Sequence, residues 1–261
     1  MMHFLRRGRT DRPLPRTPRG YRAYAVGDVH GRLDLLEAML EQVEADLAER
    51  PPRRALLLFL GDLIDRGPAS CQVIERLRTY RHPQLRMVFL MGNHEEVLLR
   101  LLGGERGILG SWLRFGGTEC LASYGVDAAA FKSMSEREAL AAIKQAIPDI
   151  HRQFIADFAD TLRFGDYLFV HAGIRPAVDL SMQSQADLRW IRQPFLDDDS
   201  DHGCVIVHGH TISEGVDERS NRIGIDTGAY RTGVLTALVL EGDARRFLIS
   251  RLQDGTDSGP N

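Results

Sequence analysis

The chain has 261 residues, of which 43% are hydrophobic and 26% charged, and its formal net charge is −3. This composition is close to that of an average globular protein and excludes an intrinsically disordered or fibrous chain. The near-neutral charge gives no electrostatic reason to expect nucleic acid as a partner, and the longest apolar run, residues 55–60, is far shorter than the ~20 residues of a membrane-spanning helix.

The first 20 residues differ in composition from the rest of the chain. They contain six arginines together with Pro13, Pro15 and Pro18, and closely spaced prolines oppose both helices and strands. We therefore predict a flexible basic tail over residues 1–20, and a polar tail over residues 253–261. Phe4 and Leu5 are followed by two arginines instead of the long apolar stretch of a secretory signal, so we expect a cytoplasmic protein.

From residue 21 onward, apolar runs that predict strands alternate with amphipathic stretches that predict helices. The first half predicts strands at 21–26, 55–60 and 85–91, and helices at 33–47, 69–80, 92–102 and 135–158. The second half predicts strands at 166–170, 204–207, 222–225, 234–240 and 245–249. Ser135 and Glu138 form a capping box at the start of the last helix. We interpret residues 21–252 as one domain with an irregular, glycine-rich insertion around 103–134, for which a lid over the functional site is one interpretation.

Five of the predicted strands are followed directly by side chains that can bind a metal ion. The segments are GDVHG from residue 27, GDLIDRG from 61, GNHE from 92, HAG from 171 and HGH from 208. A single Gly-Asp turn or a single histidine is commonly structural, but five such strand ends in one chain point to a shared site. Because ligands in an α/β sheet converge at the carboxyl ends of strands, we expect these side chains to meet.

Carboxylate, amide and imidazole groups together favour manganese, iron or zinc over calcium. Asp28 and His30 can bind one ion, and Asp62 is placed to bridge to a second. Asn93, His171 and one histidine of the HGH segment can bind that second ion. Two cations ~3.5–4 Å apart can hold a phosphoryl group and lower the pKa of a shared water. We therefore predict two divalent metal ions, with manganese as the first choice and iron or zinc as alternatives.

The motifs GDVHG, GDLIDRG and GNHE, in this order, resemble the signature of the phosphoprotein phosphatase (PPP-type) family of metallophosphoesterases. HAGI and HGHT complete the set, and the motifs frame the chain from residue 24 to about residue 240. The resemblance is strongest to the bacterial and phage branch, which includes the lambda phage phosphatase. It implies an α/β fold in which a two-sheet β-sandwich is flanked by helices (α/β/β/α), with a dinuclear centre at the strand ends.

The resemblance also implies a ligand set for each of the two metals. The first metal would be bound by Asp28, His30 and Asp62. The second would be bound by Asp62, Asn93, His171 and His210. The last metal histidine of the family follows an alanine or glycine, which fits His210 better than His208, so His208 is expected beside the centre without binding a metal.

Three further roles carried over from the family concern the substrate. His94 resembles the general acid that protonates the leaving group, and Asp65 resembles the carboxylate that orients it. Arg66 resembles a phosphate-binding arginine, and a second one is expected between the two C-terminal histidines. We choose Arg192, because a guanidinium fork pairs two phosphate oxygens at once. The alternatives are Arg189 and Arg175.

The implied activity is the hydrolysis of phosphomonoesters, with phosphoserine and phosphothreonine in proteins as the expected substrates. Hydroxide bridging the two metals would attack phosphorus directly. The alternative is a dinucleoside polyphosphate such as diadenosine tetraphosphate, the substrate of a sister bacterial family that also carries HAGI. That family reads GDLVARG and GNHD, whereas this chain keeps Asp65 and Glu95, which favours the monoesterase.

A third possibility is a non-catalytic phosphate-binding protein on the same fold. Such a protein would normally have lost metal ligands, and all six ligand positions are filled here. We therefore rank it last. The expected partner is a phosphorylated substrate, either a phosphoprotein or a small phosphoester, and we expect neither a membrane nor a nucleic acid as partner.

Overall fold

Ten strands in residues 13–251, the part of the chain described by the computed structural model, form two five-stranded sheets. The strands are β1 (Tyr21–Val26), β2 (Arg54–Phe59), β3 (Leu85–Phe89), β4 (Thr161–Phe164), β5 (Tyr167–Val170), β6 (Val205–His208), β7 (Asp217–Glu218), β8 (Arg222–Gly224), β9 (Val234–Glu241) and β10 (Ala244–Arg251). The predicted C-terminal tail and the first 12 residues of the predicted N-terminal tail lie outside the described residues.

Helices and short helical turns connect the strands. The α-helices are α1 (Leu33–Glu49), α2 (Ser70–Thr79), α3 (Asn93–Leu102), α4 (Leu109–Trp112), α5 (Thr118–Ser123), α6 (Glu136–Ala146), α7 (Asp149–Ala156), α8 (Gln185–Trp190) and α9 (Ala229–Thr232). Single helical turns of other types lie at Leu113–Gly117, Ala128–Ser133, Leu180–Met182 and Phe195–Asp197. Within residues 13–251, none of these helices is both long and apolar enough to cross a bilayer.

The two sheets are mixed, and each has a parallel centre. The first sheet has the order β10-β9-β1-β2-β3, in which β1, β2 and β3 are parallel and the carboxyl-terminal Val26 lies opposite Phe59, which lies opposite Phe89. The second has the order β4-β5-β6-β8-β7, in which β5, β6 and β8 are parallel. The parallel strands of each sheet therefore end side by side.

Successive side chains of a strand point to opposite faces of its sheet, so each strand contributes to two layers of the core. In β1, Tyr24 and Val26 pack with the buried face of α1, whereas Ala23 and Ala25 pack between the two sheets. The helix layer, the two sheets and the segment around α8 that covers the second sheet form four layers. This confirms the predicted α/β fold class of a two-sheet sandwich flanked by helices.

The predicted helix over residues 135–158 is wrong in length, because the chain forms two helices there. The capping box of Ser135 and Glu138 is present, and α6 begins as predicted. It ends at Ala146, where Ile147 is extended and Pro148 follows. Proline lacks the N–H that continues a helix and disfavours helical geometry in the residue before it, so a second helix, α7, starts after Pro148.

The insertion around residues 103–134 is packed against the domain along part of its length. Leu109, Trp112, Cys120 and Leu121 belong to the core between the helices and the first sheet. The helical path through the insertion bends at Gly116, whose φ of 114° lies in the region that glycine adopts without strain. A role of this segment as a lid stays a prediction.

Residues before the predicted start of the domain at residue 21 already form hydrogen bonds with it. Thr17 is buried, and its N–H donates to the carbonyl of Gly242 in the β9–β10 turn at 2.9 Å. The N–H of Arg16 donates to the Asp166 carboxylate at 2.8 Å. Residues 16 and 17 of the predicted tail are therefore tied to both sheets.

Candidate metal centre

The predicted ligands follow the parallel strands of both sheets, and they lie in tight backbone turns. Asp62 follows β2, and His210 follows β6. His30, Asp62 and His210 have φ values of 44°, 50° and 63°, in the left-handed region that non-glycine residues rarely adopt. Non-glycine residues in this conformation concentrate at functional sites, where the surrounding structure holds them. The carbonyl of Leu60 accepts a hydrogen bond from His171 Nδ1 at 2.8 Å, which joins the ends of β2 and β5.

Asp62 lies between two groups of side chains that could each hold a metal ion. One group contains His30, Asp62 and His94, and the other contains Asp62, His171 and His210. The potential ligand atoms of each group all lie within 4.8 Å of one another. Asp62 Oδ2 is 3.5 Å from His30 Nε2, and Asp62 Oδ1 is 3.4 Å from His171 Nε2. One carboxylate is therefore positioned to serve both groups.

Asn93 lies in the second group through its side-chain oxygen. Asn93 Oδ1 is 2.9 Å from His210 Nδ1 and 3.0 Å from His171 Nε2. The residue is the first of α3, directly after Gly92, and a Cβ on Gly92 would lie only 2.2 Å from Asp62 Oδ1. Glycine at position 92 therefore lets the start of α3 approach the bridging carboxylate.

The hydrogen-bond partners of the histidines indicate that a cation fits between them. His30 Nδ1 is 2.7 Å from the carbonyl of Ile64, which can only accept, so this nitrogen carries a proton. Burial lowers the pKa of His30 well below its ordinary value, which favours the neutral ring, and Nε2 lies 3.5 Å from Asp62 Oδ2 and 3.0 Å from Arg66 Nη1. His210 Nε2 is buried and has no hydrogen-bond partner. Lone pairs of buried nitrogen and oxygen atoms thus face one another, the arrangement that a divalent cation satisfies.

Charges within the second group shift the histidine pKa values in opposite directions. Burial by itself would lower the pKa of His171, but the Asp62 carboxylate beside it raises the pKa above its ordinary value. Burial and the neighbouring charge of His171 lower the pKa of His210 to about 3. Burial would raise the pKa of Asp62, but the surrounding histidines hold it well below its usual range. Asp62 is therefore the ionised carboxylate of the centre.

Asp28 is buried and belongs to neither of the two ligand groups. Its two carboxylate oxygens accept the backbone N–H of His210 at 3.2 and 3.1 Å. A Cβ on Gly209 would lie 2.1 Å from Asp28 Oδ1, so only glycine fits there. Burial and the nearby Asp226 and Asp62 carboxylates raise the pKa of Asp28 well above its ordinary value. The structure brings this predicted ligand to the centre through the loop that carries His210.

Asp226 is a buried carboxylate that the sequence analysis missed. It follows β8, and its Oδ1 accepts the N–H of Gly228 at 2.9 Å. Burial, with a further contribution from the negative charge of Asp62, raises the pKa of Asp226 to about 6. The signal was present, because an aspartate after a predicted strand is the pattern that identified Asp28 and Asp62.

Glu95 supports the turn that presents Asp62. Its carboxylate accepts the N–H groups of Asp62 at 2.8 Å, Leu63 at 2.7 Å and Gly92 at 3.1 Å. Burial, with the Asp62 charge, raises the pKa of Glu95 to about 7. The glutamate of GNHE therefore holds the loops after β2 and β3 together.

His94 and Asp65 form a buried pair at the edge of the centre. His94 Nδ1 is 2.6 Å from Asp65 Oδ2, and His94 Nε2 is 3.9 Å from Asp62 Oδ2. Burial would lower the pKa of His94, but the Asp62 and Asp65 carboxylates raise it above its ordinary value. Nε2 thus faces the centre, where it can donate a proton or bind a metal.

The predicted phosphate-binding arginines differ in their surroundings. Arg66 Nη1 is 3.0 Å from His30 Nε2, and its guanidinium lies over the Tyr230 ring at 4.7 Å. Arg192 is exposed, its side chain has no ion pair or hydrogen bond within residues 13–251, and its charge contributes to lowering the pKa of His210. Arg192 is therefore near the centre and available to a ligand.

The two alternatives to Arg192 are already paired. Arg189 binds Asp160 at 2.6 Å and approaches Glu96 at 3.4 Å. Arg175 binds Asp187. A guanidinium held by carboxylates must give up those contacts before it can bind phosphate, so the geometry favours Arg192 over both.

His208 lies outside the two ligand groups. Its Nδ1 is 3.1 Å from the carbonyl of Gly209, and its ring packs edge-on against Phe195 beneath the second sheet. Burial lowers the pKa of His208 to about 4. His208 is the last residue of β6, whereas His210 lies in the turn after it with a φ of 63°, so the two side chains are presented differently and only His210 belongs to the ligand groups.

Comparisons with known proteins agree with this geometry. The profile of the calcineurin-like phosphoesterase family matches residues 21–233. A Methylococcus capsulatus protein described as a symmetrical bis(5'-nucleosyl)-tetraphosphatase is 29% identical over 89% of this chain and 96% of its own length. A protein of the same description from Yersinia enterocolitica is 44% identical, but over 31% of this chain and only 25% of its own length. The crystal structure of a candidate diadenosine tetraphosphatase superposes with a TM-score of 0.63 at 20% identity, covering 89% of this chain and 95% of the other.

Proposed function

Since the chain belongs to the calcineurin-like phosphoesterase family, we propose that it is a metal-dependent hydrolase of dinucleoside polyphosphates. The observation that carries the proposal is the position of Asp62 between two histidine groups, with Asn93 beside the second. Buried carboxylate, amide and imidazole groups in this arrangement suit two transition-metal ions, and manganese is our first choice. Bound there, two cations would supply the charge that activates water and stabilises the phosphoryl group in transit.

The choice of substrate is supported by the relatives. The alignment with the Methylococcus capsulatus tetraphosphatase extends over nearly the full length of both chains, so the similarity includes the loops between the motifs. Symmetrical cleavage of a dinucleoside tetraphosphate by water would release two nucleoside diphosphates. This substrate was the alternative in the sequence analysis, which favoured phosphomonoesters on the strength of Asp65 and Glu95.

Arginines at the rim would bind the phosphate chain. Arg66 lies beside His30, and Arg192 is exposed near His210, so the two approach the centre from its two histidine groups. A guanidinium fork pairs two phosphate oxygens at once. The proton for the departing oxygen would come from His94 Nε2, with the Nδ1 side of the ring held by Asp65.

Phosphomonoester hydrolysis, as in a serine/threonine phosphatase, is a second candidate, and the His94–Asp65 pair favours it. A departing nucleoside diphosphate is a weak base and needs little help from an acid. A departing serine alkoxide is a strong base and needs a proton in the transition state. A buried histidine whose pKa is raised and whose ring is fixed at 2.6 Å is suited to the second task.

Side-by-side turnover tests the two candidates. The protein is supplied with manganese and given diadenosine tetraphosphate, a phosphoserine peptide and 4-nitrophenyl phosphate. We expect the highest kcat/KM for diadenosine tetraphosphate, with adenosine diphosphate as the only nucleotide product. An Asp62→Asn preparation purified in parallel controls for contaminating phosphatases. A higher kcat/KM for the phosphoserine peptide would reject the first candidate in favour of the second, and no turnover of any substrate would reject both.

A further inference from the structure

The insertion reaches the centre through a tryptophan. The indole N–H of Trp112, in α4, donates to Asp65 Oδ2 at 2.9 Å, and both side chains are buried. The same oxygen is 2.6 Å from His94 Nδ1. The other carboxylate oxygen, Asp65 Oδ1, is buried without a hydrogen bond. Two donors therefore hold this carboxylate at Oδ2, one from the acid itself and one from Trp112.

The backbone turn that carries Asp65 is also hydrogen-bonded to the insertion. Asp65 and Arg66 have φ values of 69° and 66°, and two consecutive non-glycine residues in the left-handed region need support from their surroundings. The N–H of Asp65 donates to Ser70 Oγ at 2.9 Å, and the N–H of Arg66 donates to the carbonyl of Gly116 at 3.1 Å. The insertion thus contacts both the side chain and the turn that position Asp65.

Trp112 is itself held in a fixed place. A Cβ on Gly117 would lie 2.4 Å from Cδ2 of the Trp112 ring, so the indole packs directly on the backbone of the following turn. The side chain is only 2% exposed. The ring therefore has little room to rotate its N–H away from Asp65.

We propose that Trp112 is a positioning residue for the general acid, a role that rests on the proposed function of His94. The torsion that turns a carboxylate about its last bond is soft, so Asp65 bound by His94 alone would swing with the ring. The Trp112 N–H fixes the same oxygen, Asp65 Oδ2, independently of His94, and the fixed carboxylate aims His94 Nε2 into the centre. The proton then passes from Nε2 to the leaving oxygen as the bond between that oxygen and phosphorus breaks.

The second tryptophan of the chain provides a matched control. The indole N–H of Trp190 also donates to a carboxylate, Glu96 Oε2, at 3.1 Å. Trp190 is 40% exposed, and within the described residues the Glu96 side chain forms no hydrogen bond or ion pair with His94 or Asp65. Trp190→Phe therefore removes the same kind of hydrogen bond without touching the acid.

The first test compares two aryl phosphates, phenyl phosphate and 4-nitrophenyl phosphate, whose leaving groups differ in their need for a proton. We expect Trp112→Phe to lower kcat for phenyl phosphate by roughly 10- to 100-fold, the usual range for loss of an orienting partner. The loss for 4-nitrophenyl phosphate should be much smaller, with KM and the bound metal unchanged. Trp190→Phe should change neither rate. Equal losses on both substrates, or no loss on either, would overturn the proposal.

A second pair of variants keeps the Trp112 side chain, and one of the two displaces its ring. The added Cβ of Gly117→Ala would displace the Trp112 ring. The added Cβ of Gly110→Ala, in the same insertion, would have Arg114 Nη1 as its nearest neighbour, at 3.7 Å. We expect Gly117→Ala to reproduce the leaving-group pattern of Trp112→Phe, and Gly110→Ala to behave as the unchanged protein. If Trp112→Phe does not fold, this pair decides the matter, and identical behaviour of the two alanine variants would overturn the proposal.

A spectroscopic measurement tests the contact without turnover. The chain has two tryptophans, so Trp190→Phe leaves one indole N–H signal in a proton–nitrogen NMR spectrum. We expect Asp65→Asn in that background to shift this signal strongly, because the acceptor loses its charge. An unchanged signal would overturn the contact and with it the proposal.

His94→Asn separates failure of this inference from failure of the proposed acid. If His94→Asn shows the leaving-group dependence and Trp112→Phe does not, the inference on Trp112 alone is wrong. If His94→Asn loses equal activity on both substrates, His94 is not the acid, and the proposed role of Trp112 falls with it.

Discussion

Two regions at opposite ends of the first sheet bury charged side chains, and they balance those charges in different ways. At the start of β1, Asp46 binds Arg22 at 2.9 Å, Tyr24 at 2.6 Å and Arg246 at 2.9 Å, and we call these four residues the Asp46 cluster. Burial would raise the pKa of Asp46, but the hydrogen bonds and arginine charges lower it to about 2. Every charge in this region has a partner of opposite sign.

At the other end of the strands, acids lie near acids. Asp28, Asp62 and Asp226 influence one another's ionisation, and the pKa values of Asp226 and Glu95 rise to about 6 and about 7. No lysine lies in this centre within the described residues, and its nearest arginine, Arg66, contacts His30. The difference indicates that the Asp46 cluster is balanced by groups of the protein itself, whereas the acids of the centre lack such partners, and the two divalent cations that we propose would balance them.

Among the variants that compare the centre with the Asp46 cluster, Asp62→Asn is expected to have the largest effect on activity. Loss of the shared carboxylate removes charge from both ligand groups, so activity should fall by more than roughly 10³-fold. The free energy of unfolding of the metal-free protein should fall only modestly, because the variant loses the attraction of the surrounding histidines that lowers the pKa of Asp62, but also loses the repulsion between Asp62 and the Asp28 and Asp226 carboxylates. Turnover and thermal unfolding in chelator measure the two effects. A strongly destabilised variant would show that Asp62 also has a structural role and would weaken the contrast.

Asp46→Asn should show the opposite pattern. Removing the shared carboxylate deprives Arg246 of its ion pair and leaves Arg22 with Glu241 alone, so the free energy of unfolding should fall by about 3–5 kcal/mol. The kcat of the folded protein should not change. Glu218→Gln, which breaks the more exposed pair with Arg245 at 2.6 Å, serves as the control and should lower stability by less than about 1 kcal/mol. Denaturant unfolding with parallel assays tests this, and an inactive but stable Asp46→Asn protein would contradict it.

The two regions should also respond to pH with opposite sign. The pKa of Glu95 rises from 4.5 to about 7, so the folded state holds a proton that the unfolded state has lost, and metal-free stability should fall as pH rises from about 4.5 to 7. The effect should be on the order of 3 kcal/mol. Asp46 has a lowered pKa, so its contribution is lost only as pH falls from about 4 toward 2. Thermal unfolding in chelator across pH measures both, and stability rising from pH 4.5 to 7 would contradict the first expectation.

The smallest effect is expected from the rim of the centre. Arg192→Ala should raise KM and the inhibition constant for inorganic phosphate by about 10-fold, or about 1.4 kcal/mol, without loss of bound metal. Arg175→Ala removes an arginine already paired with Asp187 and should leave both constants unchanged. Steady-state kinetics with phosphate as inhibitor compare the two. If Arg192→Ala has no effect, Arg189 becomes the next candidate.

Sequence reasoning reached the centre because its residues follow a local rule. Asp28, Asp62 and His171 each lie within three residues of the end of an apolar strand, and parallel strands bring such positions to one edge whatever the details of packing. Asp226 obeys the same rule and was missed only because its strand lacked a recognisable motif. The order of the strands could be learned only from the structure. The helix break before Pro148 could have been predicted from the proline itself.

The contact between Trp112 and Asp65 could not have been predicted in the same way. The two residues are 47 positions apart, and Trp112 lies in the part of the chain with the least regular pattern. Nothing local distinguishes an indole that packs in the core from one that also donates to a catalytic pair. Long-range hydrogen bonds of this kind depend on how the insertion folds back, which composition and periodicity do not specify.

The most direct test of the account is a metal titration of the chelated protein. After exhaustive chelation the protein should be folded and inactive, and added manganese should bind at two ions per chain, measured by calorimetry and elemental analysis, with activity returning as both sites fill. Asp62→Asn should bind more weakly, and Asp46→Asn should bind as the unchanged protein does. Undiminished hydrolysis in protein that elemental analysis finds free of metal would contradict the account.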